Sequence, residues 1–255
     1  MASLKERMKK RKAELEQRAS GKGSGMIFLK EGTLRFRILP VPEDADFIFD
    51  VDYFYLGKDL GGFVSPSTFG LDCAVREVYD FLKDSDDADN KDLAKKIVPK
   101  KKGLIYGFGY SDDKGKKIDA DKEGKFVLLA NSLQQDIIDL YLEDDWGEPF
   151  DPSTGYDIKL KRVGTGQKDT EYSALPCKNT PVPSKYKKTV INLEEEVKKL
   201  LPTYEQTLEK VEKYFGMTYD EIMEGSSPKV DEKSTRKVKK KVSTTRKKKR
   251  RVKKS

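Results

Sequence analysis

The chain reads as a mainly β, α+β protein whose short strands form a small mixed sheet closing into a barrel-like core with inserted helices. Three observations carry this expectation. Several separate segments alternate apolar and polar residues at a period of two, as half-buried strands do. Only a few segments carry apolar residues at helical spacing, and they fall between the strands rather than after each one. Gly and Pro clusters separate the segments, with no internal repeat.

Taken in order, Leu4–Arg18 (LKERMKKRKAELEQR) predicts a helix with only Leu4, Met8 and Leu15 as an apolar stripe. Such a helix buries too little to be stable alone, and SGKGSG at Ser20–Gly25 follows as a joint. Thr33–Leu39 is a strand with Leu34, Phe36 and Ile38 on one face and Arg35 and Arg37 on the other; Pro40 and Pro42 stop it. Phe47–Leu56 is a second strand, rich in aromatic and β-branched residues. Cys73–Lys83 reads as a helix through Val75, Val78, Tyr79 and Leu82, and Asp84–Asp92 as an acidic loop. Gly103–Ser111 is a strand placing Tyr106, Phe108 and Tyr110 on one face, followed by a charged hairpin turn (Asp112–Gly124) and the strand Lys125–Leu129. Ser132 is the expected N-cap of a helix to Leu142, with Leu133, Ile137, Ile138, Leu140 and Tyr141 apolar. Tyr156–Val163 and Thr170–Leu175 complete the strands. Leu193–Met223 is helical with a break at Pro202, and beyond Gly225 the composition predicts disorder. The expected organisation is a basic arm (1–25), a core (26–225) and a basic tail (226–255).

Charge is distributed unevenly. Lys229–Ser255 holds 15 Lys/Arg against Asp231 and Glu232, and Met1–Lys22 holds eight against three acids. Because the whole chain is +8, residues 23–228 carry −10. The overall basicity therefore says nothing about the core, and any polyanion site there must be a local basic cleft. The tail runs KVKKKV (Lys237–Val242) and RKKKRRVKK (Arg246–Lys254) predict contact with nucleic acid or another polyanion through Lys239, Lys240, Lys241, Arg246, Lys247, Lys248, Lys249, Arg250 and Arg251. A localisation signal or a solubilising extension would look the same.

Several chemistries are argued against. There is no His, and Cys73 and Cys177 stand far apart, so neither a disulfide framework nor a Cys/His zinc site can be composed. No P-loop, nucleophile elbow or metal-binding acid cluster occurs, and the acid pairs read as solvated turns; no enzyme and no cofactor is expected. No apolar run approaches the ~20 residues needed to cross a bilayer, so no membrane partner is expected.

What remains is an interleaving of cations and rings suited to single-stranded nucleic acid, whose backbone needs cations and whose unstacked bases need flat surfaces. The candidate contacts are Arg35, Arg37, Tyr53, Tyr55, Lys100, Lys101, Lys102, Tyr106, Phe108, Tyr110, Lys159, Lys161 and Arg162. Rings alternating on a strand more often pack in a core. Gly107 and Gly109, between the rings, leave the reverse face bare for the close approach of a second chain or ligand.

The ordered segments KRKAELEQRASGKG (Lys10–Gly23), GTLRFRILPVPEDADFIFDVDYFYL (Gly32–Leu56), SPSTFGLDCAVREVYDFL (Ser65–Leu82), EGKFVLLANSLQQDIIDLYL (Glu123–Leu142), DPSTGYDIKLKRVGTGQKDTEYSALP (Asp151–Pro176) and YEQTLEKVEKYFG (Tyr204–Gly216) resemble the single-stranded DNA-binding, helix-destabilising proteins of T-even-like and other tailed bacteriophages. The resemblance implies an OB-fold core with a side lobe, coating of single strands during phage replication, recombination and repair, and residence in the cytoplasm of the infected host or in the virion. It implies self-association along the strand through Lys10, Arg11 and Lys12, and replication proteins as further partners. In that family a zinc ion sits in the side lobe; the aligned positions here are approximately Tyr53, Val64, Cys73 and Arg76, so a zinc-free lobe held by Val75, Val78 and Tyr79 is expected. The family's tail is acidic and this one is basic, which removes the basis for carrying over its docking role. Two other functions fit the basic tail: a structural or packaging protein condensing duplex DNA or RNA, and an RNA-binding or ribosome-associated protein.

Overall fold

The computed structural model describes residues 25–111, 124–143, 145–164, 166, 169–179 and 182–225. The expected arm helix, the 112–123 turn and the tail lie outside these. The fold is mixed α+β: an open, mostly antiparallel sheet of eight strands with helices on it and beside it. The strands are β1 (Met26–Ile27), β2 (Gly32–Ile38), β3 (Phe49–Tyr55), β4 (Gly62–Val64), β5 (Lys100–Ser111), β6 (Lys125–Leu129), β7 (Tyr156–Val163) and β8 (Glu171–Asn179). The helices are α1 (Gly57–Leu60), α2 (Ala74–Asp84), α3 (Ala88–Ala94), α4 (Asn131–Leu142), α5 (Leu193–Lys198), α6 (Tyr204–Phe215) and α7 (Tyr219–Met223), with single 3-10 turns at Pro66–Phe69 and Ser184–Tyr186.

The main path runs β1-β6-β5-β2-β7-β8, so among the described residues the sheet has two ends and does not close as expected. Its hub is β5. One edge pairs with β3 through Lys100–Leu104 and then with β2 through Gly107–Ser111; the other edge pairs with β6. Gly107 permits this. A Cβ there would lie 1.9 Å from the Arg37 carbonyl oxygen, so the bare face expected to admit a ligand is filled by the backbone of β2.

The alternation in β2 and β7 builds the principal core. Leu34, Phe36 and Ile38 face Tyr156, Ile158 and Leu160, and α4 covers them with Leu133, Ile137 and Leu140. The Tyr156 hydroxyl donates to the Leu140 carbonyl at 3.1 Å, and Asp136 accepts from the Ala174 amide at 2.9 Å, tying α4 to β7 and β8. Ala130, not Ser132, is the N-cap, with no side-chain cap; Ile138 and Tyr141, expected in the apolar face, are exposed.

On the reverse face, Arg37 is fully buried. Its Nε donates to Asp157 Oδ1 at 2.8 Å and its Nη2 to the Gly155 carbonyl at 2.9 Å, while Arg35 Nε donates to Asp157 Oδ2 at 2.7 Å. The Arg37 and Asp157 side chains have no solvent exposure, so the carboxylate is compensated only by its two arginines and neighbouring polar groups.

The β3–β4 hairpin carries a helical lobe. Phe54, Leu56 and Phe63 pack on α2, α3, α6 and α7 through Val75, Val78, Leu82, Leu93, Val211 and Ile222. Tyr79 is half-buried against this cluster. The segment expected as an acidic loop contains α3, because Asp87 caps it by accepting from the Asp89 amide and Leu93 anchors it. The long C-terminal helix divides twice: at Pro202, as expected, and again at Gly216, which adopts a left-handed φ of 67°. Thr203–Gln206 and Thr218–Glu221 form capping boxes that start α6 and α7. The α2 N-terminus has no side-chain cap of its own; the buried Thr207 hydroxyl of α6 accepts from the Ala74 amide at 3.1 Å instead. Glu77 of α2 accepts from the hydroxyls of both Tyr204 (2.9 Å) and Tyr219 (2.7 Å).

Two outcomes follow. Asp157→Ala strands the buried Arg37 cation and lowers urea-unfolding stability by about 3–5 kcal/mol, whereas Arg35→Ala, at a partly exposed position, costs less. Burial, followed by the Tyr55 charge at Tyr53 and by the Glu77 hydrogen bond at Tyr219, pushes both phenols up. A phenol raised in the fold adds stability below its unfolded value of about 10, and that contribution is lost as pH climbs through the raised value. Stability measured by urea unfolding therefore falls above about pH 10, and less steeply in Tyr219→Phe.

Candidate nucleic-acid interface

Because side chains alternate along a strand, the register decides which predicted cations share a surface. In β2 and β7, Arg35 lies opposite Lys159 and Thr33 opposite Lys161, and β8 continues the rows with Leu175 and Ser173. Lys159 and Lys161 are exposed and form no ion pair among the described residues, while Arg35 is about one-third exposed beyond its bond to Asp157. Leu175 is 54% exposed, which puts an apolar spot among these cations. Cys177 lies close enough for Arg35 and Lys159 to act on its thiol, although burial is the larger effect and holds its pKa up.

The same sheet face continues onto β5. Lys100 and Lys102 point to it, with Tyr53 opposite Lys100 and Val51 opposite Lys102. Lys100 is exposed and Lys102 half-buried. Burial, then the neighbouring Lys100 charge, pushes the Lys102 ammonium down, and among the described residues no carboxylate is paired with either lysine. Tyr55, on the same face of β3, is 51% exposed. Along β5 the Lys102 and Arg35 positions are up to roughly 30 Å apart, given the rise of an extended strand.

The other candidates are placed elsewhere. Lys101 alternates to the opposite face and is bonded to Asp52 at 2.9 Å. Arg37 is consumed by Asp157. Arg162 also points away from Lys159 and Lys161; its Nη1 donates to the Leu29 carbonyl at 2.8 Å and its guanidinium lies over the Tyr172 ring. Tyr53 and Phe108 are core residues, 6% and 3% exposed. Tyr106 is half-buried, edge-on to Phe126 at 4.8 Å. The Tyr110 side chain, Lys10–Lys12 and the tail cations fall outside the described residues.

The burial of Phe108 has a cause that strand periodicity did not reveal. Residues 182–201 cross this face as a strap. Tyr186 stacks on Phe108 at 4.7 Å, the Ile191 amide donates to the Pro40 carbonyl, and Leu193 and Val197 of α5 cover Leu104 and Phe126. The strap thus separates the β5 lysines from the β2–β7 cations and adds the exposed Lys187 and Lys188 beside Tyr186. The only signal for these two was the mixed basic and aromatic run SKYKK at 184–188.

The positions aligned with a zinc site do converge. Tyr53 pairs with Val64; next to it, Ser65 bonds the Cys73 thiol, and Arg76 reaches Asp80 at 2.7 Å and Asp52 at 3.4 Å. The donor set does not fit the metal, since Val64 has no donor atom and the Arg76 guanidinium is already engaged by carboxylates. Among the described residues no group of three His, Cys, Asp or Glu side chains is placed to hold a metal ion.

Residues 30–218 match a family model described as gp32 DNA binding protein like. The chain belongs to this family of DNA-binding proteins. The matched stretch spans the sheet from the end of β1 onward, α1–α6 and the six surface residues Arg35, Tyr55, Lys100, Lys102, Lys159 and Lys161, and it ends before α7. No curated protein matches the chain. Among the described residues no helix is long and apolar enough to cross a membrane.

If the six residues act together, Ala substitution at Lys100, Lys102, Lys159 or Lys161 lowers the slope of log affinity for DNA against log salt by about one each. The same change at Lys101 leaves the slope unaltered. Fluorescence titrations at several salt concentrations measure this.

Proposed function

We propose that the chain is a sequence-nonspecific single-stranded DNA-binding protein that coats and protects exposed strands during phage replication and recombination. The observation that carries the proposal is one sheet face bearing four lysines, Lys100, Lys102, Lys159 and Lys161, that have no carboxylate partner among the described residues, with the exposed Tyr55 ring beside the first pair. Cations on a strand face neutralise phosphates without reading base edges, and a phenol ring stacks on a base of any identity. Family membership supports DNA as the polyanion.

The half-buried Lys102 suits this role. Its charge is costly with only Lys100 beside it, and a phosphate relieves both the desolvation and the like-charge repulsion. The strap gives the path of the strand its shape, placing cations on either side of a raised ridge topped by Lys187 and Lys188. On this reading the open sheet with α4 packed on one face is a variant of an OB-type core, with the helical lobe as a metal-free appendage. On this proposal the protein is not an enzyme, works in the cytoplasm of the infected host, and self-associates along the strand through Lys10, Arg11 and Lys12.

A second reading, condensation of duplex DNA or RNA for packaging, rests on the 15 Lys/Arg of residues 229–255. It places all binding in the tail. The deciding measurement is binding of single- and double-stranded oligonucleotides by the chain ending at Pro228, across a salt series. Retained preference for single strands is expected; equal affinity for both, or loss of all binding, overturns the proposal. Tyr55→Ala weakens single-strand binding by about 1–3 kcal/mol. Because phosphate raises the depressed Lys102 pKa, binding at alkaline pH takes up protons, and calorimetry in buffers of different ionisation heat shows less uptake in Lys102→Gln.

A further inference from the structure

The face opposite the proposed DNA surface has an unusual composition. Residues 131–155 contain seven Asp/Glu and no Lys or Arg. Over this stretch α4 buries one side and leaves Ile138, Tyr141 and Leu142 exposed, the last by 69%. Trp146 stands 38% exposed beyond the helix, and Tyr141 packs on Phe47 and Phe150 at 5.3 and 5.5 Å. Asp139, Glu143, Asp145 and Glu148 are exposed along the same stretch and form no ion pair among the described residues. Phe47 joins the patch to a second base-free run, 38–57, which holds Asp44, Asp46 and Asp50.

An apolar patch rimmed by like charges excludes two kinds of occupant. DNA is repelled by it, and so is a second copy of the same face in a two-fold contact. It suits a cationic segment, whose ammonium and guanidinium groups lie over aromatic faces while carboxylates neutralise them. The chain supplies such a segment. Residues 229–255 carry 15 Lys/Arg in 27 positions.

We propose that the acid-rimmed aromatic face of α4 and the 143–150 loop seats the chain's own cationic C-terminal segment, Lys229–Ser255. Seated there, the segment offsets the negative field of the core and is withheld from phosphate. The inference does not depend on the single-strand reading, because it concerns the opposite side of the sheet and needs no DNA.

Zero-length carbodiimide cross-linking of the full chain at low protein concentration, mapped by mass spectrometry, tests it. Lysines of 229–255 are expected to link to Asp139, Glu143, Asp145 and Glu148 in preference to exposed acids of the helical lobe such as Asp84 and Asp89. These links decline several-fold at high salt. Trp146, the single tryptophan, reports in parallel: its emission in the full chain shifts with added salt, and the shift is lost in the full-length Asp139→Lys/Glu143→Lys variant, whose exposed substitutions leave the circular dichroism unchanged. Links spread evenly over all exposed acids overturn the proposal. So do links from lysines of residues 5–22 in place of the tail, or a Trp146 signal indifferent to salt in the unmodified chain.

Discussion

Asp157 lies fully buried between Arg35 and Arg37, and what the sheet presents to solvent follows from how that charge is neutralised. A slip of one residue between β2 and β7 would turn Asp157 into the apolar core beside Phe36, without either guanidinium, and turn Ile158 out of it. The pairing therefore pins the register that aligns Arg35 with Lys159 and Thr33 with Lys161. It also anchors the 151–155 loop, because the unused donors of Arg37 reach the Gly155 and Asp151 carbonyls. One side of the sheet then carries lysines while the other receives α4 and its acids. A core that is acidic in sum presents a basic face in this way.

The strap of residues 182–201 adds a second constraint. By stacking Tyr186 on Phe108 and laying Leu193 and Val197 over β5 and β6, it converts the middle of that face from binding surface to core. Rings that alternate on β5 therefore contribute to stability, and the exposed ring nearest the β5 lysines is Tyr55 on the neighbouring β3. The helical lobe shows the same economy. There a Tyr53–Val64 strand pair and the Arg76–Asp52 and Arg76–Asp80 ion pairs tie the hairpin to α2.

Strand positions were legible where alternation was clean: β2, β6 and β7 fall within a residue of the expected spans. Segments governed by caps were less so. The helix expected to begin at Ser132 begins one residue earlier without a side-chain cap, and α3 hid in an acid-rich run because Asp87 acts as its N-cap. The candidate site was half legible. Alternation separated Lys100 and Lys102 from Lys101 in principle, but no local pattern says that Arg37 meets a carboxylate 120 residues away or that Tyr186 returns to cover Phe108. Those are long-range contacts, and a single sequence carries no local trace of them.

The Thr207 hydroxyl that caps α2 from α6 has a consequence for how the molecule is assembled. The hairpin and first helices of the lobe, residues 49–94, leave the ribosome early, yet the group that satisfies the α2 N-terminus and the tyrosines that hold Glu77 arrive more than a hundred residues later. Closing so large a loop costs entropy before any contact repays it. The sheet through β8 is complete in the emerging chain while the lobe still waits for α6 and α7. The chain order therefore makes synthesis of the last helices the step that supplies the lobe's missing cover.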